Sequence, residues 1–242
     1  GDMLPVKANK DVWFIVIFIY IVIASALPVN FLLQPRDYLN SFLLYFGLAV
    51  GGVAALLSFG AFDSAPIFTS FSAKVISGQP SPFWPTVPLV IACGALSGFH
   101  ALVASGTSSK QIASEKDALF VGYGAMLTEG FLSTIVVISI ASFGDKAMGD
   151  WAAVLKTPAL NRFVLSYGSM VSTTIPFLSP EFMKLFAAVW VSSFALTTLD
   201  TTNRLGRYLV QEMALPLKDK VPGLYSVLEN KWVASVIIAF IG

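Results

Sequence analysis

The single histidine and the single cysteine of the chain lie in one glycine- and serine-rich run, residues 92–110, within an apolar segment. Glycine weakens a helix, and serine offers the backbone competing hydrogen bonds. In a bilayer, non-helical backbone survives only where it is buried in protein or lines a cavity. The run therefore predicts a discontinuous helix near residues 94–107 that opens to bind a ligand.

His100 stands in the middle of this run. Histidine titrates near neutral pH, and ionisable groups at membrane depth are functional by default. It either has a functional role, as a proton-coupling or substrate-contacting residue, or it hydrogen-bonds a neighbouring helix beside an ordinary Gly94–Gly98 packing pair. The surrounding glycines and serines favour the first interpretation. The predicted substrate-binding residues are Gly94, Ser97, Gly98, His100, Ser105 and Thr107.

A carboxylate, Glu129, lies near the middle of a second apolar segment, residues 118–143. An ionised carboxylate at that depth costs about 3 kcal/mol unless it is protonated, paired or hydrated. It is either a proton carrier or a buried structural hydrogen-bonding group, with His100 as one partner. We favour the proton carrier.

A second carboxylate, Asp200, shares a helical face with Ser193, Thr197 and Arg204. Hydroxyl and carboxylate oxygens are hard ligands that can hold a sodium ion, and they can equally orient a substrate amine. The simpler alternative is a local i,i+4 ion pair between Asp200 and Arg204. The predicted ion-coupling residues are His100, Glu129, Ser193, Thr197 and Asp200.

The composition indicates that these side chains lie in a membrane. Of 242 residues, 56% are hydrophobic and 12% are charged, against about 25% charged in soluble domains. A net charge of +1 argues against a nucleic-acid partner. One cysteine and one histidine exclude an internal disulfide and argue against a metal centre. We expect no cofactor other than a coupling ion, H⁺ or Na⁺.

The apolar segments predict an all-α, polytopic transmembrane helix bundle with about five full spans and a truncated sixth. The spans are predicted at 12–27, 38–59, 89–105, 118–143 and 182–203, with the sixth starting at 233. Residues 61–88 and 144–180 are long polar or interfacial connections, and 161–175 forms an interfacial or re-entrant helix. Arg36-Asp37 is interpreted as a turn and helix start. We expect one transmembrane domain, 1–242, that is a fragment of a longer protein.

Several strings resemble the carbon-starvation protein family of CstA-type membrane proteins. They are LQPRDYL at 33–39, ACGALSGFHAL at 92–102, ASGTSSK at 104–110, GYGAMLTE at 122–129 and SSFALTTLDT at 192–201. Together they cover roughly residues 27 to 212. The sequence departs from the family pattern at Leu119, where an arginine is expected, and the family's N-terminal spans are not found.

The resemblance implies a multi-pass inner-membrane transporter of the amino acid–polyamine–organocation type, with inverted repeats and discontinuous helices. It implies ion-coupled uptake of peptides or pyruvate during carbon starvation. The expected partners are that substrate, the bilayer and the remaining N-terminal part of the transporter. The alternative is a membrane nutrient sensor or partner-binding subunit without transport. An intramembrane enzyme is disfavoured, because no Gly-x-Ser-x-Gly or His-Glu-x-x-His motif occurs.

Overall fold

The structure, a computed structural model, describes residues 10–58, 72–74, 80–82, 88–89, 91–92, 98–106, 108–218 and 221–241. Its longer elements are almost all helices. They are α1 (Lys10–Ala26), α2 (Val29–Leu57), α3 (Gly98–Gly106), α4 (Glu115–Met148), α5 (Trp151–Lys156), α6 (Ala159–Thr174), α7 (Pro180–Ala214), α8 (Pro222–Glu229) and α9 (Lys231–Ile241). A short antiparallel pair joins β1 (Ser72–Lys74) to β2 (Pro80–Pro82) with Ala73 opposite Ser81.

Three helices are long and apolar enough to cross a membrane: Phe31–Leu57 within α2, all of α4 and all of α7. Helices α8 and α9 form a fourth span if the pair, bent by 77°, counts as one. Helix α1 is apolar but has only 17 residues, below the roughly 20 that a bilayer requires. The prediction of a helical, multi-pass membrane protein is confirmed.

The interpretation of Arg36-Asp37 as a turn is wrong. Helix α2 begins at Val29, directly after Pro28, and continues through Pro35 and both charged residues. Proline removes one backbone donor, which usually ends a helix. In membrane helices, however, side chains and neighbouring helices compensate for the lost bond. The second helix therefore starts nine residues earlier than the predicted span.

The start of α4 follows local capping rules. Ser114 has an extended backbone, and its hydroxyl accepts a hydrogen bond from the Lys116 amide at 3.3 Å. The acidic Glu115 and Asp117 occupy the first turn, where the helix dipole favours negative charge. The helix therefore starts three residues before the span predicted at 118–143. Gly149 ends α4 at φ 98°, a conformation that favours glycine.

The described residues divide into two compact units. The first unit lies within Gly1–Asn40 and Ser193–Gly242, and the second lies within Ser41–Ser192. In the second unit, α4 packs along α6, which confirms the helix predicted at 161–175. Its core is aromatic: the rings of Phe163 and Tyr167 each lie 5.9 Å from that of Trp190. A Cβ built on Gly47 would lie 2.6 Å from the Trp190 ring. The glycine therefore permits this close approach.

Tyr167 also ties the core of the second unit to α2. Its hydroxyl donates a hydrogen bond of 2.7 Å to the Gly47 carbonyl, and its side chain is completely buried. Burial raises the pKa of the Tyr167 phenol, so the hydroxyl stays protonated as a donor.

Removing that hydroxyl is expected to have a modest effect. Tyr167→Phe leaves a buried carbonyl without this donor, which costs about 1 kcal/mol. We expect a melting temperature in detergent lowered by roughly 2–4 °C, measured by size-exclusion chromatography after heating. Tyr45→Phe, a change at an exposed tyrosine on α2, is the control. An unchanged melting temperature for Tyr167→Phe would show that the hydrogen bond contributes nothing.

In the first unit, α1 packs against α9. Helix α7 also approaches α9 closely, because a Cβ on Gly206 would lie 2.7 Å from the Ile238 side chain. The part of α2 up to Asn40 and the part of α7 from Ser193 belong to this unit. Their polar residues form the site described next.

Candidate functional site

A buried ion pair joins α2 to α7 within the first unit. The Asp200 side chain is fully buried, and its Oδ2 accepts a hydrogen bond from Nη1 of Arg36. The same Nη1 donates to the hydroxyl of Tyr20 on α1. Tyr20 in turn donates to Asp200 Oδ2 at 3.1 Å. Charges among apolar helices are stable only when they are paired and hydrogen-bonded. These three side chains therefore form one hydrogen-bonded group.

A second hydrogen-bonded polar group also joins α2 to α7. The Ser193 hydroxyl donates to Oδ1 of Asn40, whose Nδ2 donates to the Thr197 hydroxyl at 3.2 Å. Thr197 donates to the Ser193 carbonyl at 3.1 Å. The structure thus places the predicted residues Ser193, Thr197 and Asp200 on one face of α7, as their spacing indicates. We call these three, with Tyr20, Arg36 and Asn40, the polar cluster.

Arg204 does not form the expected local ion pair. Asp200 pairs with Arg36 instead. Nη2 of Arg204 donates to the Ala24 carbonyl at 2.9 Å, in the last turn of α1. Beside it, Asn203 Nδ2 donates to the Ser25 hydroxyl at 3.0 Å. A cation at a helix C-terminus is favourable, because the final carbonyls lack partners within the helix. Arg204 therefore caps α1.

The other predicted site residues that the structure describes lie in the second unit. His100 and Ser105 are exposed on α3, where Ser105 donates to the Ala101 carbonyl at 2.9 Å. Gly98 begins that helix, and Glu129 is exposed on α4. Their roles stay predictions. The remaining predicted contacts lie outside the described residues; they are Gly94, Ser97 and Thr107.

An open groove of about 530 Å³ lies between α2 and α4 in the second unit. Its lining is mostly apolar and includes Leu48, Val53 and Phe131. Thr128 also lines it, but its hydroxyl already donates to the Gly124 carbonyl at 2.9 Å. The groove is therefore an apolar surface, and one of its lining residues, Thr128, directly precedes Glu129 in the sequence. By contrast, the polar cluster concentrates charged and hydroxyl groups that can bind a polar ligand.

Sequence reasoning missed three members of the cluster: Tyr20, Arg36 and Asn40. Each is polar within or beside a segment otherwise rich in apolar residues. That is the available signal for a functional residue at membrane depth. Among the residues that the structure describes, no group of three histidine, cysteine or acidic side chains is arranged to hold a metal ion.

Comparisons with known proteins show which proteins the chain resembles. The family model for carbon starvation protein CstA matches residues 3–150 and 142–242. The peptide transporter CstA of Bacillus subtilis is 32% identical over 264 residues, covering 92% of this chain. The peptide transporter CstA of Campylobacter jejuni is 42% identical over 243 residues, covering 82%. The pyruvate/proton symporter BtsT of Escherichia coli is 40% identical over 125 residues, covering 50%.

The chain spans less than half the length of these relatives: 42%, 34% and 17% of them, respectively. No solved structure matches it significantly. The family match nevertheless extends over almost the whole chain, and it agrees with the apolar helices described above. The chain belongs to the carbon starvation protein CstA family.

Proposed function

We propose that the chain forms part of a secondary transporter that takes up small carboxylate-containing nutrients across the inner membrane. The relatives named as peptide transporters and as a pyruvate/proton symporter support peptides or pyruvate-like acids as substrates. The observation that carries the proposal is the buried Arg36–Asp200 pair between apolar helices. A buried ion pair is weak evidence for stability, whereas ionisable groups inside membranes mark transport pathways.

The polar cluster favours protons over sodium as the coupling ion. A sodium ion on Ser193, Thr197 and Asp200 would compete with the Arg36 guanidinium, which already binds Asp200 Oδ2. A proton on Asp200 instead neutralises the carboxylate and weakens its attraction for Arg36. We assign further proton-handling roles to His100 and Glu129, and substrate contacts to Gly94, Ser97 and Gly98.

The proton-handling roles predict a specific kinetic loss. Glu129→Gln keeps the shape of the side chain but cannot carry a proton, and His100→Ala removes the imidazole. We expect each variant to lower pH-gradient-driven uptake at least about tenfold, which is less than the roughly 10²–10⁴-fold that positioned acid–base groups contribute in catalysis. Substrate exchange at equal pH on both sides of the membrane should be retained, because it requires no net proton movement.

Glu115→Gln provides the matched control for this loss. Glu115 is a carboxylate in the exposed first turn of the same helix, α4. It should leave gradient-driven uptake unchanged. If both Glu129→Gln and His100→Ala transported at the wild-type rate under a proton gradient, the coupling assignment would be wrong.

The proposed function is tested with the full-length protein in proteoliposomes. Uptake of labelled pyruvate and of a labelled dipeptide is measured under a proton gradient and then under a sodium gradient. We expect gradient-driven accumulation of one of these substrates with protons as the driving ion. Saturable binding of substrate without uptake or counterflow, in sealed vesicles, would overturn the proposal and support a sensor instead.

A further inference from the structure

The Arg36 guanidinium uses one nitrogen for all its contacts in the polar cluster. Nη1 donates to Asp200 and to Tyr20. Nε and Nη2 are buried and have no hydrogen-bond partner among the described residues. Their N–H groups lie along one edge of the planar group as a parallel pair of donors. This edge matches the two oxygens of a carboxylate in a bidentate arrangement.

Unpaired buried donors require a partner. More than nine-tenths of buried polar groups in proteins are hydrogen-bonded, and each orphaned group needs an explanation. Here the orphaned donors of Arg36 are accompanied by an orphaned acceptor, Asp200 Oδ1. The fully buried Asp200 side chain therefore also has an atom free to receive a ligand hydrogen. The Arg36 donors indicate a ligand with an anionic end, and the Asp200 acceptor indicates that the ligand also carries a hydrogen-bond donor.

The charge balance of the first unit points the same way. Among the described residues, the buried charged side chains are two cations, Arg204 and Arg207, and one anion, Asp200. Arg36, only 18% exposed, adds a third positive charge. Asp37, which is exposed and interacts with Thr197, offsets part of this excess. An incoming carboxylate would offset more of it, since like charges repel strongly where water is excluded.

Arg36 is better placed than the other two cations to bind this anion. Arg204 is engaged with the C-terminal turn of α1 through the Ala24 carbonyl. Arg207 stacks on the Tyr208 ring, with 4.8 Å between its guanidinium carbon and the ring centroid. Within the part of the chain that the structure describes, each of the three arginines has a buried Nε without a hydrogen-bond partner, but only Arg36 has a second such nitrogen, Nη2. The orientation of its guanidinium is also fixed, because Asp200 and Tyr20 bind its Nη1.

We propose that the Nε–Nη2 edge of Arg36 binds the carboxylate of the transported substrate, while Asp200 and Tyr20 orient the guanidinium. The assignment rests on the proposed transport function and names the residue that recognises the substrate class. Because this edge is buried, substrate entry requires movement of the surrounding turn of α2. Pro35 lies in that turn and cannot donate a backbone hydrogen bond, which makes a helix easier to bend there.

The test compares acids with their amides on the full-length protein in proteoliposomes. Pyruvate and pyruvamide, or a dipeptide and its C-terminal amide, compete with the labelled acid for uptake. We expect the wild-type protein to bind the acid at least about tenfold more tightly than the amide. The amide is neutral and has a single acceptor oxygen, so it cannot pair with both Nε and Nη2 of Arg36 as a carboxylate does. Arg36→Lys keeps the positive charge but loses the parallel pair of N–H donors, so its KM for the acid should rise about tenfold. Its acid-to-amide preference should shrink.

Arg162→Lys is the matched control, because Arg162 lies in the second unit and binds the Thr157 carbonyl. It should keep the wild-type KM and preference. Wild-type uptake that does not distinguish acid from amide would overturn the carboxylate assignment while leaving transport in place. This comparison uses only the wild-type protein, so it does not depend on whether a variant folds. An unchanged preference in folded Arg36→Lys would also overturn it, and no uptake of either substrate would overturn the proposed function with it.

Discussion

Asp200→Asn is expected to destabilise the protein by about 3 kcal/mol, the loss typical when one partner of a buried ion pair is removed. The reason is that the Arg36 guanidinium then stays among apolar helices without its counter-ion. We expect the melting temperature in detergent to fall by roughly 6 °C or more. Size-exclusion chromatography after stepwise heating measures this change.

The double variant Arg36→Gln/Asp200→Asn separates the pair from its individual charges. Replacing both members of a buried pair is often close to neutral, because no charge is left uncompensated. We expect it to recover most of the loss seen in Asp200→Asn. A double variant that loses the sum of the two single losses would show that Arg36 and Asp200 do not interact energetically.

Gly47→Val is expected to have a comparably large effect in the second unit. Even the first added carbon would lie 2.6 Å from the Trp190 ring, which is 2% exposed and packed against other aromatic rings. Trp190 therefore cannot rotate away without disturbing Phe163 and Tyr167. Overpacking of this kind costs about 1–3 kcal/mol. A shift of the Gly47 backbone would also weaken the hydrogen bond from Tyr167.

Gly124→Ala is the control for this substitution. Gly124 lies within α4, and a Cβ there would meet no described atom within 4 Å. Alanine also favours a helix over glycine by about 1 kcal/mol. We therefore expect Gly124→Ala to keep or raise the melting temperature, while Gly47→Val lowers it by roughly 5 °C. Equal melting temperatures for Gly47→Val and the wild type would contradict the close packing of Gly47 on Trp190.

Features determined by neighbouring residues were predictable from the sequence. The start of α4 follows from Ser114 as a cap and from two acidic residues in the first turn. The end of α1 follows from Pro28, and α6 follows from its apolar residues between prolines. In each case the signal lies within a few residues of the structure that it predicts.

The central ion pair was not predictable in the same way. Arg36 and Asp200 are separated by 164 residues, and each has a plausible local explanation. Arg36 follows a proline, which suggested a turn, and Asp200 precedes Arg204 by four residues, which suggested a pair within one helix. Tertiary packing overrides both. Without the helix arrangement, the remaining clue is that opposite charges occur in two separate apolar segments.

The central claim is that the polar cluster on α1, α2 and α7 belongs to the transport site. It is tested most directly by substrate uptake through the stability-restored variant Arg36→Gln/Asp200→Asn. We predict that this variant, reconstituted in sealed vesicles at wild-type levels, transports less than a tenth as much labelled pyruvate or dipeptide as the wild type. Wild-type uptake by this variant under the same gradient would show that the ion pair is structural and that the transport site lies elsewhere.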